Sequence, residues 1–366
     1  MVESKYGPFR SARSHGPGTK LRRRFMRQKI AIIGDGAMGT LCAWILAQSG
    51  RKTLLWCRHS QHAADLAQSR VNIRHLPTVK LPASVEVTGQ DAAISQADLV
   101  FLAVPSQHIR SVLTRLATHI PASTPVISLA KGIENDTLLR PTEICTSILG
   151  PRLLAVISGP SIADEVAQGL PATVVAASSD EQLSRKVQDL MSCSFLRVYR
   201  NADVIGVEIA GASKNIIAIA AGILDGLAAG VNAKASLVTR GLAEITRLGV
   251  ALGASPETFS GLAGLGDLVT TCFSPSSRNR SFGQRIGTGL SVEQAQTEIS
   301  GVVEGLPTTR SVVALARRYN VEMPISETLY TVLFENCSPR EGISMLMSRR
   351  PKAEHHHQPG TNPASA

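Results

Sequence analysis

The sequence predicts an α/β protein in two parts, a doubly wound parallel sheet followed by an all-α domain. Short apolar runs alternate with helical patterns in the first half, as in β-α-β units with right-handed crossovers. A glycine-rich turn joins the first strand to the first helix. After Asp203 the strand-like runs stop and long helical patterns follow. The length of 366 residues fits two ordinary domains.

The predicted strands of the first half are short and mostly apolar. In order they fall within KIAIIG, RKTLLWCR, ASVEVTG, ADLVFLAVP, TPVISLAKG and RLLAVISGP. Runs that are apolar throughout are typical of parallel strands buried on both faces. Helices are predicted between them, and the one within SQHIRSVLTRLATHI carries a single apolar face. That face is formed by Ile109, Val112, Leu113 and Leu116.

The second half is predicted to contain only helices. The helical patterns cover residues 204–230, 233–253, 291–299, 307–319 and 324–336. We therefore expect a dinucleotide-binding domain over 29–202 and a helical domain over 203–349. The apolar run 216–230 is interrupted by Asp225 and rich in Ala and Gly, so it predicts a buried helix and no membrane span.

Both chain ends are predicted to be disordered. Residues 1–28 contain eight Lys or Arg residues against one acid, Glu3, and lack apolar periodicity. A nucleic-acid arm or a transit-like leader are the alternatives to a non-structural extension, and we expect no nucleic-acid partner. Residues 350–366 form the second tail, and its three consecutive histidines, 355–357, make a poor metal site. We expect no bound metal.

The cysteines indicate a reducing compartment. Six of them are scattered along the chain without any CxxC pair. Single, unpaired cysteines are typical of reduced thiols in a cytosolic protein. We therefore expect the protein to be cytoplasmic.

The turn between the first strand and helix has the spacing G-x-G-x-x-G, at Gly34, Gly36 and Gly39. Free N–H groups and the positive dipole end make a helix N-terminus attract phosphate. We assign the tight bend to Gly34, close approach of a pyrophosphate to Gly36, and helix–sheet packing to Gly39. A strand before the turn and a helix after it are the context expected of a Rossmann-like dinucleotide site.

The end of the second strand bears on which dinucleotide binds. A strictly NAD-binding chain places an acid there for the ribose 2′-hydroxyl. This strand ends LLWCRH, so Arg58 stands at that place. Its guanidinium favours the 2′-phosphate of NADP(H). A solvated surface arginine, and acceptance of NAD(H), remain open alternatives.

Further polar stretches stand out. Lys131 follows a predicted buried strand, at the carboxyl edge where open α/β sheets bind ligands. Ser161 is predicted to cap a helix, with Asp164 as its capping-box partner. Residues 264–283 are predicted to form a polar, glycine-flanked loop whose Arg and Asn donors suit a phosphate. Its polar residues are Asp267, Thr270, Thr271, Ser277, Arg278, Asn279 and Arg280.

Lys214 and Asn215 stand at the head of an apolar helix rich in Ala and Gly. Two interpretations of this lysine are open. Its amine could reach solvent past the helix edge. Alternatively, burial lowers its pKa and suits it to proton transfer.

Taken in order, these motifs resemble one family. They are GDGAMGT, LAVP, AKG, ISGPS, GASKN, TRGLAE, GLAGLGDLVTTC, SRNRSFG and VVEG. The chain from about residue 29 to about residue 349 resembles bacterial NAD(P)-dependent glycerol-3-phosphate dehydrogenase. The chain departs from that pattern at three positions: Asp35 replaces a small residue, Met38 an aromatic residue, and Ser161 a threonine. A carboxylate at position 35 would repel a pyrophosphate unless it points away.

The resemblance implies a role for each matching residue. Lys214 matches the catalytic lysine. Together with the turn glycines, the expected cofactor-binding residues are Gly34, Gly36, Ala37, Met38, Gly39, Arg58, Lys131, Ala163, Arg278, Val302 and Glu304. Together with the polar neighbours Asn215 and Thr271, the expected substrate-binding residues are Lys131, Gly159, Ser161, Lys214, Asn215, Asp267, Thr271, Ser277, Arg278 and Asn279.

The resemblance also implies a reaction. Dihydroxyacetone phosphate would be reduced reversibly to sn-glycerol 3-phosphate with NADPH or NADH, supplying glycerophospholipid synthesis, and the enzyme would be a possible homodimer. One alternative is another NAD(P)-dependent reductase, acting on a β-hydroxyacid or ketopantoate, but such enzymes lack the combined GLGDL and SRN motifs. A second alternative is a non-enzymatic cofactor-binding sensor, which would be expected to lose Lys131, Lys214 or Asp267.

Overall fold

The structure is a computed structural model that describes residues 28–351 and 353–354. The predicted basic extension and the three histidines of the tail lie outside the described residues, apart from Gln28. The first half contains ten strands. They are β1 Lys29–Ile33, β2 Lys52–Trp56, β3 Val71–Asn72, β4 Leu76–Lys80, β5 Val85–Thr88, β6 Leu99–Leu102, β7 Val126–Ser128, β8 Leu154–Ser158, β9 Ala172–Ala177 and β10 Leu196–Asn201.

Eight of these strands form one sheet in the order β10-β9-β8-β7-β6-β1-β2-β5. The chain runs outward from β1 in both directions, so the predicted doubly wound sheet is confirmed. One pair departs from the parallel pattern, because β8 and β9 are antiparallel. Strands β3 and β4 form a separate antiparallel hairpin. Sequence analysis did not identify this hairpin or strands β9 and β10.

Helices cover both faces of the sheet. In the first half they are α1 Ala37–Gln48, α2 Ser60–Ser69, α3 Ile109–Leu116, α4 Pro141–Leu149, α5 Ala163–Ala167 and α6 Glu181–Met191. Short 3-10 turns flank α3, so the helix predicted over SQHIRSVLTRLATHI is α-helical only in its centre. The four apolar residues predicted for its inner face are all buried.

The chain changes from strands to helices after Asn201, and the first helix of the second half begins at Val204. The second half contains α7 Val204–Gly226, α8 Gly230–Ala251, α9 Glu257–Ser260, α10 Asp267–Phe273, α11 Arg278–Gly287, α12 Val292–Thr297, α13 Gly305–Arg318, α14 Pro324–Phe334 and α15 Pro339–Met347. Asp203 caps α7 by accepting a hydrogen bond from the Gly206 N–H at 2.8 Å. Such a cap satisfies one of the free N–H groups at a helix start.

The prediction of a polar loop over residues 264–283 is wrong, because helices α10 and α11 occupy most of this stretch. A π-helical turn over Leu262–Gly266 leads directly into α10. Ser277 is the N-cap of α11, and its hydroxyl accepts a hydrogen bond from the Arg280 N–H. Ser277 is therefore a helix cap, and Gly283 packs against the backbone of α7.

Helix α7 is the centre of the second half. Among the described residues it is the one helix long and apolar enough to cross a membrane, but 89% of its apolar window is buried inside the protein. The predicted buried helix is confirmed for this segment.

Helices α7 and α11 meet through glycines spaced four residues apart on each. A Cβ built on Gly222 would lie 1.9 Å from the Arg280 carbonyl oxygen, and one on Gly226 would lie 2.3 Å from that of Gln284. A Cβ on Gly283 would lie 1.9 Å from the Ile219 carbonyl oxygen. The two backbones are therefore in direct contact.

Replacing Gly283 with alanine should lower the free energy of unfolding by about 1–3 kcal/mol, because the new methyl group must push two backbones apart. Alanine's higher helix propensity recovers about 1 kcal/mol at most. Urea unfolding followed by circular dichroism measures the difference.

Gly36→Ala is the matched control for stability. A Cβ there meets no atom within 4 Å, and the Gly36 φ of −68° suits any residue. The packing interpretation fails if both variants unfold at the same urea concentration as the unmodified protein.

Candidate active site

The glycine turn between β1 and α1 leaves room for a phosphate. Gly34 has a φ of +109°, and a Cβ on it would lie 2.6 Å from the Ala103 carbonyl oxygen. A Cβ on Gly39 would lie 1.9 Å from the Gly34 carbonyl oxygen, so α1 packs directly on the turn. Gly36 faces open space and caps α1 without a side chain. The free N–H groups of α1 and the space beside Gly36 therefore fit a dinucleotide pyrophosphate.

The other residues expected to contact the cofactor border this turn or the sheet edge. Met38 and Ala163 are partly buried and pack against the same apolar core, while Ala37 is half-buried. Arg58 follows β2 and is exposed, and among the described residues its guanidinium has no hydrogen-bond or ion-pair partner. Its position leaves the guanidinium available to a ligand.

A charged cluster lies where the sheet meets the helical half. The Asp267 carboxylate accepts hydrogen bonds from two lysines, Lys214 Nζ at 2.5 Å and Lys131 Nζ at 2.7 Å. Lys214 Nζ also donates to Thr271 Oγ1 at 2.8 Å, and Lys131 Nζ donates to the Gly159 carbonyl at 3.1 Å. Five residues expected to bind substrate are thus joined by direct contacts.

Burial controls the charges of this cluster. Burial lowers the pKa of Lys214, the Asp267 carboxylate opposes the shift, and Lys131 adds to it, so that the resulting pKa is about 8. Burial alone would raise the pKa of Asp267, but the two lysines hold it below its usual value. The cluster therefore contains an ionised carboxylate and a lysine that changes charge near neutral pH.

The structure excludes one of the two interpretations of Lys214. The residue lies in the interior of α7 and is 6% exposed, so its amine does not reach solvent past the helix edge.

The placement of Ser161 is also corrected. The N-cap of α5 is Ile162, which provides no side-chain hydrogen bond. The Ser161 hydroxyl instead donates to the Gly159 carbonyl at 3.1 Å, because the bend at Gly159 brings that oxygen within reach.

A second set of contacts joins α7, α11 and α13. Asn215 Nδ2 donates to the Lys131 carbonyl at 3.0 Å, and its Oδ1 accepts from Asn279 Nδ2 at 3.0 Å. Asn279 Oδ1 accepts from the Gly305 N–H at 2.9 Å. These amides fix the start of α11 beside Lys131 and Lys214.

Arg278 is the first residue of α11 and is exposed. No hydrogen bond or ion pair engages its guanidinium among the residues that the structure describes. Arg280, predicted within the same polar stretch, instead donates to the Asp225 carboxylate at 2.6 Å. The N-terminus of α11 therefore presents Arg278, and not Arg280, to an anion.

Glu304 and Val302 lie at the start of α13, next to the loops after β6 and β7. One Glu304 oxygen accepts from the Ser106 N–H at 3.3 Å. The other oxygen is buried without a partner among the described residues. Burial raises the Glu304 pKa to about 7. Val302 is 40% exposed and lines a cavity of about 460 Å³ with Glu304 and Pro105.

Sequence reasoning missed two residues at this edge. Ser106 follows the predicted strand ADLVFLAVP, and that position alone could have signalled a place near the ligand. His62 contacts Asp35 in the glycine turn, with Nε2 and Oδ2 3.1 Å apart. No sequence motif signals this pairing.

Among the described residues there is no group of three or more potential metal ligands.

Comparisons with known proteins agree with this geometry. The family model described as the NAD-dependent glycerol-3-phosphate dehydrogenase N-terminus matches residues 29–184. The model described as its C-terminus matches residues 203–344.

Individual relatives match over nearly their whole length. Glycerol-3-phosphate dehydrogenase NAD(P)+ 2 of Salinibacter ruber is 47% identical over 334 residues, covering 90% of this chain and 97% of the relative. Glycerol-3-phosphate dehydrogenase NAD(P)+ of Citrifermentans bemidjiense is 47% identical, covering 90% of this chain and 99% of the relative. The crystal structure of a glycerol-3-phosphate dehydrogenase from Coxiella burnetii is 40% identical with a TM-score of 0.86, covering 88% of this chain and 100% of that chain.

The motifs, the fold and these similarities point the same way. The chain carries a glycine turn that fits a dinucleotide, a buried lysine–carboxylate cluster and a helix N-terminus open to an anion. This protein belongs to the NAD-dependent glycerol-3-phosphate dehydrogenase family.

Proposed function

We propose that this enzyme reduces dihydroxyacetone phosphate reversibly to sn-glycerol 3-phosphate, with NADPH or NADH as reductant. The observation that carries the proposal is the buried Lys214 amine, whose pKa is lowered to about 8 and which Asp267 holds at the sheet edge. A lysine of this pKa can both give and accept a proton near neutral pH.

Binding of the substrate phosphate is assigned to the start of α11. Arg278 supplies a guanidinium that has no partner within the described part of the chain, and the helix N-terminus adds N–H donors and a positive dipole end. Asn279 is 8% exposed, and its amide already contacts Asn215 and Gly305. We therefore propose that the second N–H of the Asn279 amide donates to the phosphate, and that Asn279 also holds the start of α11 in place.

Proton transfer is assigned to Lys214. In reduction, its ammonium donates a proton to the oxygen that forms at C2 of the substrate. In oxidation, the neutral amine takes the proton back. The nicotinamide cofactor, when bound, supplies or accepts the hydride.

Lys131 and Asp267 are assigned to positioning and charge control. Asp267 keeps the Lys214 amine directed to one place, and the positive charge of Lys131 favours the neutral form of Lys214. Lys131 Nζ also contacts the Gly159 carbonyl, next to Ser161. We assign Lys131, Gly159, Ser161 and Thr271 to the substrate side of the site.

The direct test is oxidation of NADPH and of NADH at 340 nm with dihydroxyacetone phosphate as substrate. Ketopantoate and a β-ketoacid are the competing substrates, run at equal concentration. We expect turnover only with dihydroxyacetone phosphate. Faster turnover of ketopantoate would favour the alternative reductase, and cofactor binding without turnover of any substrate would favour the sensor.

Replacing Arg278 with alanine is expected to raise KM for dihydroxyacetone phosphate by about 10–100-fold, because a charge-assisted contact to the phosphate is lost. The value of kcat should change less, since the lost contact binds the ground state and the transition state alike. Steady-state kinetics with varied substrate measure both quantities.

Arg285→Ala is the matched control, on the same helix. Arg285 pairs with Glu298 at 2.7 Å and lies at the other end of α11 from Arg278. An unchanged KM in the Arg278 variant, or an equal rise in the Arg285 variant, would contradict the assignment of the phosphate site.

We also propose that the enzyme acts in the cytoplasm, as a homodimer, and supplies the backbone of glycerophospholipids. The family resemblance supports all three. Light scattering coupled to size-exclusion chromatography tests the oligomeric state, and a mass of one chain, 38.8 kDa, would exclude the dimer.

A further inference from the structure

The ribose end of the dinucleotide site contains an acid that does not come from the second strand. In folds of this kind, a carboxylate at the end of the second strand binds the ribose 2′-hydroxyl of NAD. Strand β2 ends at Trp56 and is followed by Cys57, Arg58 and His59. The strand itself therefore provides no such acid.

The carboxylate of Asp35, in the glycine turn, reaches this place instead. It lies beside the buried Cys57 thiol, directly after β2: burial raises the pKa of that thiol, and the nearby Asp35 carboxylate raises it further. It also pairs with His62 in the first turn of α2, with Oδ2 and Nε2 3.1 Å apart. The carboxylate thus lies between the end of β2 and the start of α2, where a strand-end acid would project.

The position of Asp35 is fixed by its backbone. Its carbonyl accepts hydrogen bonds from Asn72 Nδ2 at 2.7 Å and from Thr40 Oγ1 at 3.3 Å. Asn72 also donates to Thr40 Oγ1 at 2.8 Å and is buried. The Asp35 side chain remains 23% exposed, so a ligand can reach it, whereas the His62 Nε2 atom that faces it is buried.

The carboxylate and the Arg58 guanidinium have opposite preferences. A carboxylate accepts a hydrogen bond from a ribose hydroxyl and repels a 2′-phosphate, whereas a guanidinium attracts the phosphate. We infer that Asp35 takes the role of the missing strand-end acid and favours NAD(H), that Arg58 favours NADP(H), and that His62, when protonated, limits the repulsion. This inference rests on the dinucleotide binding of the proposed function, but not on its substrate.

The test is the pair of dissociation constants for NADH and NADPH, measured without substrate by the fluorescence of the reduced nicotinamide. Asp35→Asn keeps the side-chain shape and removes the charge. It should shift the ratio of the two constants toward NADPH by about tenfold or more, because a like charge facing the 2′-phosphate is lost. Arg58→Ala should shift the ratio toward NADH by a similar factor.

Two further variants make the result decisive. Asp65→Asn removes an exposed acid of α2 that pairs with Gln61, and it should leave the ratio unchanged. His62→Gln removes the imidazole beside the Asp35 carboxylate without altering the glycine turn. In mildly acidic buffer, where histidines carry charge, it should weaken NADPH binding more than NADH binding. Thermal unfolding of each variant checks that it is folded.

An unchanged ratio in Asp35→Asn and in His62→Gln would overturn the inference, as would equal weakening of both cofactors. A shifted ratio in a protein that does not reduce dihydroxyacetone phosphate would sustain the inference and remove the proposed substrate instead. The two failures are therefore distinguishable.

Discussion

Replacing Lys214 with alanine is expected to lower kcat for dihydroxyacetone phosphate reduction by about 10²–10⁴-fold, the usual worth of a positioned proton donor. Binding of NADPH should be retained, because Lys214 contacts Asp267 and Thr271 and lies away from the glycine turn. Stopped-flow turnover and nicotinamide fluorescence measure the two quantities separately.

The pH dependence gives this prediction a second observable. Since the Lys214 pKa is lowered to about 8, reduction by the unmodified enzyme should slow as pH rises through about 8, when the ammonium is lost. Oxidation should accelerate over the same interval, when the amine is formed. Both dependences should be absent from the residual activity of Lys214→Ala.

Lys234→Ala is the matched control. Lys234 is also buried and ion-paired, with Asp225 at 2.8 Å, but lies outside the cluster. It should lose stability and keep both its kcat and its pH profile. If the two lysine variants lost activity to the same degree, the loss in Lys214→Ala would reflect packing and not proton transfer.

Replacing Asp267 with asparagine should have the second largest effect. The change removes the negative charge that Lys131 and Lys214 share, and it leaves the buried Lys214 amine and the partly exposed Lys131 amine without that charge between them. Breaking a buried ion pair typically costs about 3–5 kcal/mol of stability. Misplacement of the Lys214 amine by about 1 Å should also cost about 10²-fold in kcat.

The pH profile distinguishes this positioning role from a structural one. Asp267 raises the pKa of Lys214 against the lowering by burial. Without the carboxylate, the pKa should fall further, and reduction should slow at a lower pH than in the unmodified enzyme. A profile that stayed at about pH 8 would refute this role.

Asp225→Asn is the control for Asp267→Asn, because Asp225 is also shared by two cations, Lys234 and Arg280. It should lose stability for the same reason. Its pH profile should stay where it is, since neither cation belongs to the site.

The local features of the fold could be predicted from the sequence. Strand β1, the glycine turn and α1 are consecutive, so their pattern alone indicated the conformations of Gly34 and Gly39. Apolar runs bounded by Pro or Gly similarly predicted β6, β7 and β8. By contrast, β10 alternates buried and exposed residues, including the exposed Tyr199, and lacks a continuous apolar run.

The contacts of the site could not be predicted in the same way. Lys131, Lys214 and Asp267 were each identified from local patterns and the family resemblance. Their sharing of one carboxylate depends on how the helical half packs on the sheet, which no local pattern specifies. The contact between Asp35 and His62 was missed for the same reason, since it depends on how α2 packs beside the turn.

The glycine crossing of α7 and α11 also constrains motion. Side chains packed between two helices can change rotamer, and the spacing between the helices can change with them. At Gly222 and Gly283 there is no side chain to reorient, so the spacing between the helices varies only when a whole backbone moves. Lys214 belongs to one helix and Arg278 to the other. The spacing between the backbones that carry Lys214 and Arg278 therefore does not change with side-chain rotamers at this crossing.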